Sequence, residues 1–533
     1  MVTSPTEFYE RHRDLLDRAI EAAAARDYWS AYPESPSKSV YGEQAAPDGE
    51  AAFRALLGAE FPIEVPGATT TVSTELDADV AYPKGDPDDL IAAARAATPG
   101  WRAAGPHGRA GVAAEILARL NARIFELAHA VQVTTGQAFV MAFQAGGAHA
   151  QDRGLEAVAV ALAESTRIPA VAHWSKPQRG GDPLRLEKTS TVVGRGVALV
   201  IGCTTFPTWN SYPGLFASLV TGNPVIVKPH PGAVLPLAIT VQVCREVLTE
   251  AGLDPNVVTL AVEQRGEGIA ATLATHPDVR IVDFTGSSEF GDWLEANARQ
   301  AVVYTEKAGL NTVILDSTAD YQGMLRNLAF SLSLYSGQMC TTPQNLLIAP
   351  AGIDTDAGHK SPAEFGADLS AALDKLLSDP QRAAGTLGAI VNDDVRARLA
   401  EAGTLPGVLH ATTPVVVRLD PSDEKTYTRE WFGPVSFVIT TPTPLELFTR
   451  TVRQHGALTA LVHSTSETFL DQAREAALDA GVHLSENLTG GVFVNQTSAF
   501  SDLHGTGANP AATASLSDAA FVTGRYYTLQ SRR

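Results

Sequence analysis

Only three cysteines, Cys203, Cys244 and Cys340, occur in 533 residues. Three is an odd number, and no C-x-x-C pair is among them, which excludes a disulfide framework and a thiolate zinc site and suits a reducing compartment. Basic charge is scarce as well. A formal net charge of −19 leaves no basic face for duplex nucleic acid or an anionic membrane, although one local basic pocket could still take a small anion. The most apolar stretch, Val192–Cys203, is too short to span a bilayer. Residues Met1–Asp14 show no secretory signal, so the expected location is the cytoplasm. No G-x-G-x-x-G fingerprint follows a strand, and Arg265-Gly266-Glu267-Gly268 is too short and too charged to serve as one. His230, His276, His463, His483 and His504 lack metal-ligand spacing.

What is present is a long chain of ordinary globular composition, 45% hydrophobic and 19% charged, with room for about three domains. Residues Phe8–Trp29 read as a helix and Ser30–Pro66 as irregular. Three helices are expected at Pro87–Ala97, Gly108–Thr134 and Ala148–Ser165. From Val192 the pattern becomes strand–helix–strand. Thr191–Cys203 reads as a strand pair or bent strand, followed by strands at Pro224–Lys228, Val257–Ala261 and Val279–Asp283 with helices between them. The alternation resumes after Asn311, with strands Val313–Leu315 and Asn345–Ile348 around a helix at Tyr321–Leu334. Such alternation implies parallel sheets with crossover helices. The expected fold class is therefore α/β, with two lobes joined near Thr305–Asn311 and a β-strand in the Val522–Leu529 tail.

Four segments carry chemistry when taken together. Cys340 lies among small residues in Ser336-Gly337-Gln338-Met339-Cys340-Thr341-Thr342, where Gly337 permits close backbone approach and a thiolate would be a strong nucleophile. Glu306 follows the apolar run Ala301–Tyr304; facing Cys340 across a cleft, it could remove a proton from water. Lys228 ends the apolar run Val225–Val227, at the strand end where open α/β sheets bind ligands. Phe284-Thr285-Gly286-Ser287-Ser288-Glu289 leads from a strand into a helix. Its amides suit a pyrophosphate, and Ser287 or Ser288 suits an N-cap.

Across Pro87–Leu529 these segments resemble the aldehyde dehydrogenase superfamily. Val225–Pro229 is similar to the family's cofactor-lysine strand, Phe284–Ser287 to its nicotinamide turn, and Glu306 with Lys307-Ala308-Gly309 to its general-base segment. Gly337–Cys340 is similar to its nucleophile segment, and Glu430-Trp431-Phe432-Gly433-Pro434 to the segment whose glutamate holds the nicotinamide ribose. The separation of 34 positions from Glu306 to Cys340 is typical of the family. The resemblance implies two Rossmann-like lobes plus a small β oligomerisation arm. It implies Cys340 as nucleophile and Glu306 as base, with Lys228, Pro229, Gly286, Ser287, Glu430 and Phe432 as cofactor contacts. It further implies a homodimer or homotetramer. The domains expected are an N-terminal extension at 1–86, a cofactor domain at 87–305 with oligomerisation strands near 185–194, a catalytic domain at 306–497 and an oligomerisation tail at 498–533.

Two departures from the family pattern stand out. Thr205, in Cys203-Thr204-Thr205-Phe206-Pro207, occupies the place of the family's oxyanion asparagine, so Thr205, Asn210 or the Cys340 backbone N–H must serve. Cys203 reads as structural. Pro231 replaces an acid that would repel a 2′-phosphate, so NADP is at least as well accommodated as NAD. The segments Thr205–Trp209 and Phe521–Arg525, with the long N-terminal extension, resemble the phenylacetic acid degradation PaaN-type aldehyde dehydrogenases. That implies an aldehyde substrate that is a coenzyme A-linked semialdehyde, and the expectation is a form without the fused hydratase domain. Another aromatic or CoA-linked aldehyde, a CoA-acylating dehydrogenase and a non-catalytic relative are the alternatives.

Overall fold

The apolar runs in the middle of the chain form two open, largely parallel sheets. In a computed structural model describing residues 3–73, 79–307, 309–502 and 517–533, the first sheet has five strands. In spatial order they are Val258–Leu260, Val225–Lys228, Val197–Ile201, Val279–Gly286 and Val302–Lys307, all parallel. The strands Val197–Ile201 and Val225–Lys228 are buried along their whole length, which is why they read as continuous Val/Ile/Leu runs and not as alternation. Strand order reverses direction at Val197–Ile201. A crevice opens beyond the carboxyl ends there, at a topological switch point.

The second sheet runs Val408–His410, Val415–Leu419, Val435–Thr440, Asn345–Ile348, Thr312–Leu315, Thr459–His463 and His483–Glu486. It is parallel except for the antiparallel edge pair 408–410 and 415–419. Successive residues of its central strands face opposite cores: Ile314 and Leu347 point into one, Val313 and Leu346 into the other. The chain crosses between sheets at residues 307–312, so Glu306 closes one sheet and Asn311 opens the next. A Cβ at Gly309 would lie 2.8 Å from Ala457 Cα, so this crossing requires glycine. Ala308 and His504 lie outside the described residues.

Several sequence expectations are corrected. The stretch 30–66 is not wholly irregular: Lys38–Tyr41 and Ala45–Leu56 are helical, because Ala45, Ala46, Ala51 and Ala52 favour helix despite the Pro and Gly between them. The helix expected at 108–134 breaks at Arg123 (φ −103°) into Gly105–Ala122 and Ile124–Thr135. Residues 191–203 form a strand pair, one of the two forms expected, parting at Arg195–Gly196: they end Gly181–Gly194 and form Val197–Ile201. The tail begins as a helix, Ala519–Thr523, capped by Asp518, before the strand Tyr526–Arg532. That strand pairs antiparallel with 188–194, and Val171–Gln178 completes a three-stranded arm. Val171, Leu184 and Leu529 on this arm are exposed.

Arg525 anchors the tail. Fully buried, it donates to both Asp283 oxygens (2.7 and 2.6 Å), to Ser218 Oγ (2.8 Å) and to the Phe521 carbonyl (3.0 Å). Removing one partner of a buried pair strands the other charge. Arg525→Met is expected to destabilise the fold by about 3–5 kcal/mol, read as the shift in urea-unfolding midpoint. A loss under about 1 kcal/mol would show that the pair does not hold the tail.

Candidate active site

The loop bearing Cys340 is fixed before any ligand arrives. The helix Tyr321–Ser333 gives way to Tyr335 and Ser336 in the left-handed region (φ 51° each), followed by Gly337 at φ 62°. Non-glycine residues in that region cost about 1–3 kcal/mol each unless their surroundings fix them. Here they do: Tyr335 OH donates to the Thr135 carbonyl (2.6 Å), Ser336 Oγ to the Gly388 carbonyl (2.7 Å) and Gln338 Nε2 to the Ala389 carbonyl (3.1 Å). A Cβ on Gly337 would stand 2.5 Å from the Gly433 carbonyl oxygen. Asn311 completes the frame. Its Nδ2 donates to the Cys340 and Thr342 carbonyls (2.7 and 3.1 Å), while its Oδ1 accepts the Leu458 and Thr459 amides. Nothing in the sequence marked Asn311; only the meeting of two strands beside the loop gives it this work.

Glu306 is buried at the last residue but one of its strand. Asn210 Nδ2 donates to its Oε1 (3.0 Å), and the Cys340 thiol is hydrogen-bonded to the same carboxyl. Burial pushes the Cys340 thiol well above the value of a free cysteine; the charges of Glu306 and Cys203 add to this, and Arg153 opposes it. In the resting site the sulfur therefore carries its proton, next to a group able to accept it. Cys203 is pushed up to about 11, first by burial.

These groups open onto a cleft of ≈ 610 Å³, a volume within the range of cofactor sites. Thr205, Lys228, Gly286, Ser287, Glu306, Cys340, Glu430 and Phe432 all line it; Pro229 does not, although His230 and Pro231 do. The Ser287 hydroxyl accepts the Phe290 amide (3.4 Å) as N-cap of the helix Ser288–Asn297. Lys228 is ion-paired with Glu263, which also accepts the Ile269 amide (2.7 Å). Glu263 escaped the sequence reading, although it lies three residues past a strand end in the crevice, a position open α/β sheets use for ligands. Burial pushes Glu430 up to about 7, with Arg398 opposing. Gln344 positions the segment around Glu430, donating to the Tyr427 and Arg429 carbonyls and accepting the Trp431 amide.

Of the three substitutes considered for the oxyanion asparagine, the two side chains are both engaged. Asn210 holds Glu306, and its Oδ1 takes the Cys203 thiol at 3.6 Å. The Thr205 hydroxyl bonds the Cys203 sulfur, and its carbonyl accepts Gln137 Nε2 (2.7 Å).

The cleft suits a dinucleotide: a lysine–glutamate pair can meet ribose hydroxyls, amides at a capped helix start can meet phosphate, and the thiol and carboxyl line the same cleft. A parallel-sheet switch point, with an acid on the sheet's last strand and a cysteine from beyond the crossing to the next sheet, is the arrangement of a thiol-dependent oxidoreductase. The chain belongs to the aldehyde dehydrogenase family, whose pattern matches residues 71–501. Over 100% of this chain and 99% of the other, it superposes on the crystal structure of an NAD-dependent aldehyde dehydrogenase from Burkholderia multivorans, with 52% identity and a TM-score of 0.97. Among curated proteins it is similar to N-succinylglutamate 5-semialdehyde dehydrogenase of Ectopseudomonas mendocina, 29% identical over 51% of this chain and 52% of that one. It is also similar to alpha-ketoglutaric semialdehyde dehydrogenase 2 of Azospirillum brasilense, 31% identical over 48% of this chain and 50% of that one. The matched region thus spans about half the length of these curated relatives.

Proposed function

We propose that the protein oxidises an aldehyde to a carboxylic acid with NAD, through a thioester on Cys340. The observation that carries this reading is the hydrogen bond between the Cys340 thiol and the buried Glu306 carboxyl in the wall of the cleft. Glu306 takes the thiol proton, and the sulfur adds to the carbonyl carbon. The Cys340 backbone N–H supports the oxyanion, joined by Thr205 once its hydroxyl turns from Cys203. Bound in the cleft by Lys228, Glu263, Gly286, Ser287, Glu430 and Phe432, a nicotinamide dinucleotide supplies the hydride acceptor. Once it has passed the thiol proton on to solvent, Glu306, kept in place by Asn210, deprotonates the water that cleaves the thioester. Water and not coenzyme A is the acyl acceptor on this reading, because a buried base stands beside the sulfur.

Glu263 supplies from a neighbouring strand end the carboxylate that position 231 lacks, and a carboxylate beside the ribose repels a 2′-phosphate. NAD is therefore expected to exceed NADP in kcat/KM by at least about tenfold, a difference of ~1.4 kcal/mol. Glu263→Gln is expected to erase most of that ratio. Equal use of both cofactors by the unaltered protein would overturn the assignment of Glu263.

For the substrate we favour a semialdehyde. The relatives named above act on semialdehydes, and the segments Thr205–Trp209 and Phe521–Arg525 support a CoA-linked one from phenylacetic acid catabolism. Turnover of matched free and CoA-linked semialdehydes tests this choice; a preference for free aldehydes would exclude it. The domain reading is a cofactor lobe at 87–305, a catalytic lobe at 306–497 and a tail from 498. The exposed apolar arm supports a homodimer or homotetramer.

A further inference from the structure

Beside the cleft, but not in its wall, lies a buried cation that the mechanism above does not use. Arg153 sits in the second turn of the helix His149–Thr166 and is 3% exposed. Its guanidinium stacks on the Trp209 ring, 3.7 Å from the centroid. Trp209 immediately precedes Asn210, the residue bonded to Glu306. Arg153 shares with Glu306 and Asn210 an internal space of ≈ 20 Å³, room for about one water molecule. Its Nε and Nη1 have no hydrogen-bond partner among the described residues. A buried guanidinium so poorly bonded is costly and calls for compensation by nearby negative charge. The charged and titratable groups facing it are Glu306 and Cys340 from the site and Glu156 from its own helix. Glu156 is pushed up to about 7 by burial, and Arg26 shares it at 3.0 Å, so it neutralises Arg153 only in part near neutrality.

The N-terminal extension holds this helix in place. Ser30 Oγ and the Ala31 amide donate to Asp152 (2.6 and 2.9 Å), one residue before Arg153, and Arg26 reaches Glu156 one turn further on. These bonds fix the stretch of helix that carries Arg153.

We propose that Arg153 is a positioning residue whose buried charge, set on Trp209 outside the cofactor cleft, favours negative charge on the Cys340 sulfur beside Glu306. It is not a substrate ligand, because its Nε and Nη1 are closed to solvent and its side chain is absent from the cleft wall. The groups that face the Cys340 thiol are Glu306 and Cys203, which both disfavour the thiolate, and Arg153, which favours it. The inference rests on Cys340 being the nucleophile, yet its test does not depend on aldehyde turnover.

The test is the pH dependence of Cys340 alkylation by iodoacetamide, in which the thiolate displaces iodide. The modified peptide is followed by mass spectrometry, so that Cys203 and Cys244 do not contribute. Arg153→Met is expected to move the alkylation midpoint up by at least about one pH unit, an approximately tenfold slower reaction at a fixed pH below both midpoints. Arg153→Lys, which retains the charge, is expected to recover most of the shift. Should Arg153→Met not fold, Arg153→Gln carries the same expectation with a polar side chain over Trp209. A midpoint unchanged within about 0.3 units in the folded neutral variant, or a Lys variant no better than it, overturns the proposal. A normal shift in a protein with no aldehyde activity would instead leave Arg153 its role and remove the function proposed above.

Discussion

Cys340→Ala is expected to abolish aldehyde-dependent NAD reduction, with a loss of at least about 10⁴-fold, while dinucleotide binding stays intact. The size of the loss follows from covalent catalysis: with no sulfur to add to the carbonyl there is no tetrahedral adduct for hydride to leave, and no neighbouring group substitutes. Cys203, the nearest other thiol, is bonded to Asn210 and Thr205. Binding is expected to survive because the loop hangs on main-chain and neighbouring groups and not on the sulfur: Asn311 grips the Cys340 carbonyl, and Tyr335, Ser336 and Gln338 tie its approach. Titration of the variant with NAD, followed by tryptophan fluorescence, checks the second half of the expectation. Residual turnover within about tenfold of the unaltered enzyme would remove Cys340 from the chemistry.

Glu306→Gln is expected to separate the two halves of the reaction. Steady-state turnover should fall by about 10²–10⁴-fold, the range typical of losing a general base. A first burst of about one NADH per site should remain, because the amide cannot deprotonate water for thioester cleavage but two effects on the thiol offset each other. The variant loses the group that accepts the thiol proton, and it also loses the negative charge that holds the thiol up. The side-chain oxygen at 306 can still accept the Asn210 amide, so the site keeps its shape. Stopped-flow absorbance at the nicotinamide band reads both phases. Burst and steady state falling together would mean that Glu306 acts before the thioester and not after it.

Much of this was legible in the chain itself. The apolar runs within Pro224–Lys228 and Val279–Asp283 marked parallel strands, since burial on both faces leaves a continuous hydrophobic signal. Cys340 and Glu306 stood out through small neighbours and order along the chain. What stayed hidden depends on meetings between distant segments. Glu263 reaches Lys228 from another strand, Asn311 braces the Cys340 loop from the other side of the interlobe crossing, and Arg153 arrives on a helix that reads as ordinary core. Pro231 pointed toward NADP because the local sequence lacked an acid, whereas the fold brings one from residue 263. Helix boundaries near Arg123 and Ala45 were missed because tertiary packing overrides weak local preference.

The most direct test of the central claim is the mass of the trapped enzyme. Glu306→Gln protein, mixed with aldehyde and NAD and quenched in acid after the burst, should gain the acyl mass of the substrate, and peptide mapping should place it on Cys340. NADH released with no acyl group on the protein, or an adduct on Cys203 instead, would contradict a thioester at Cys340 and with it the proposed reaction.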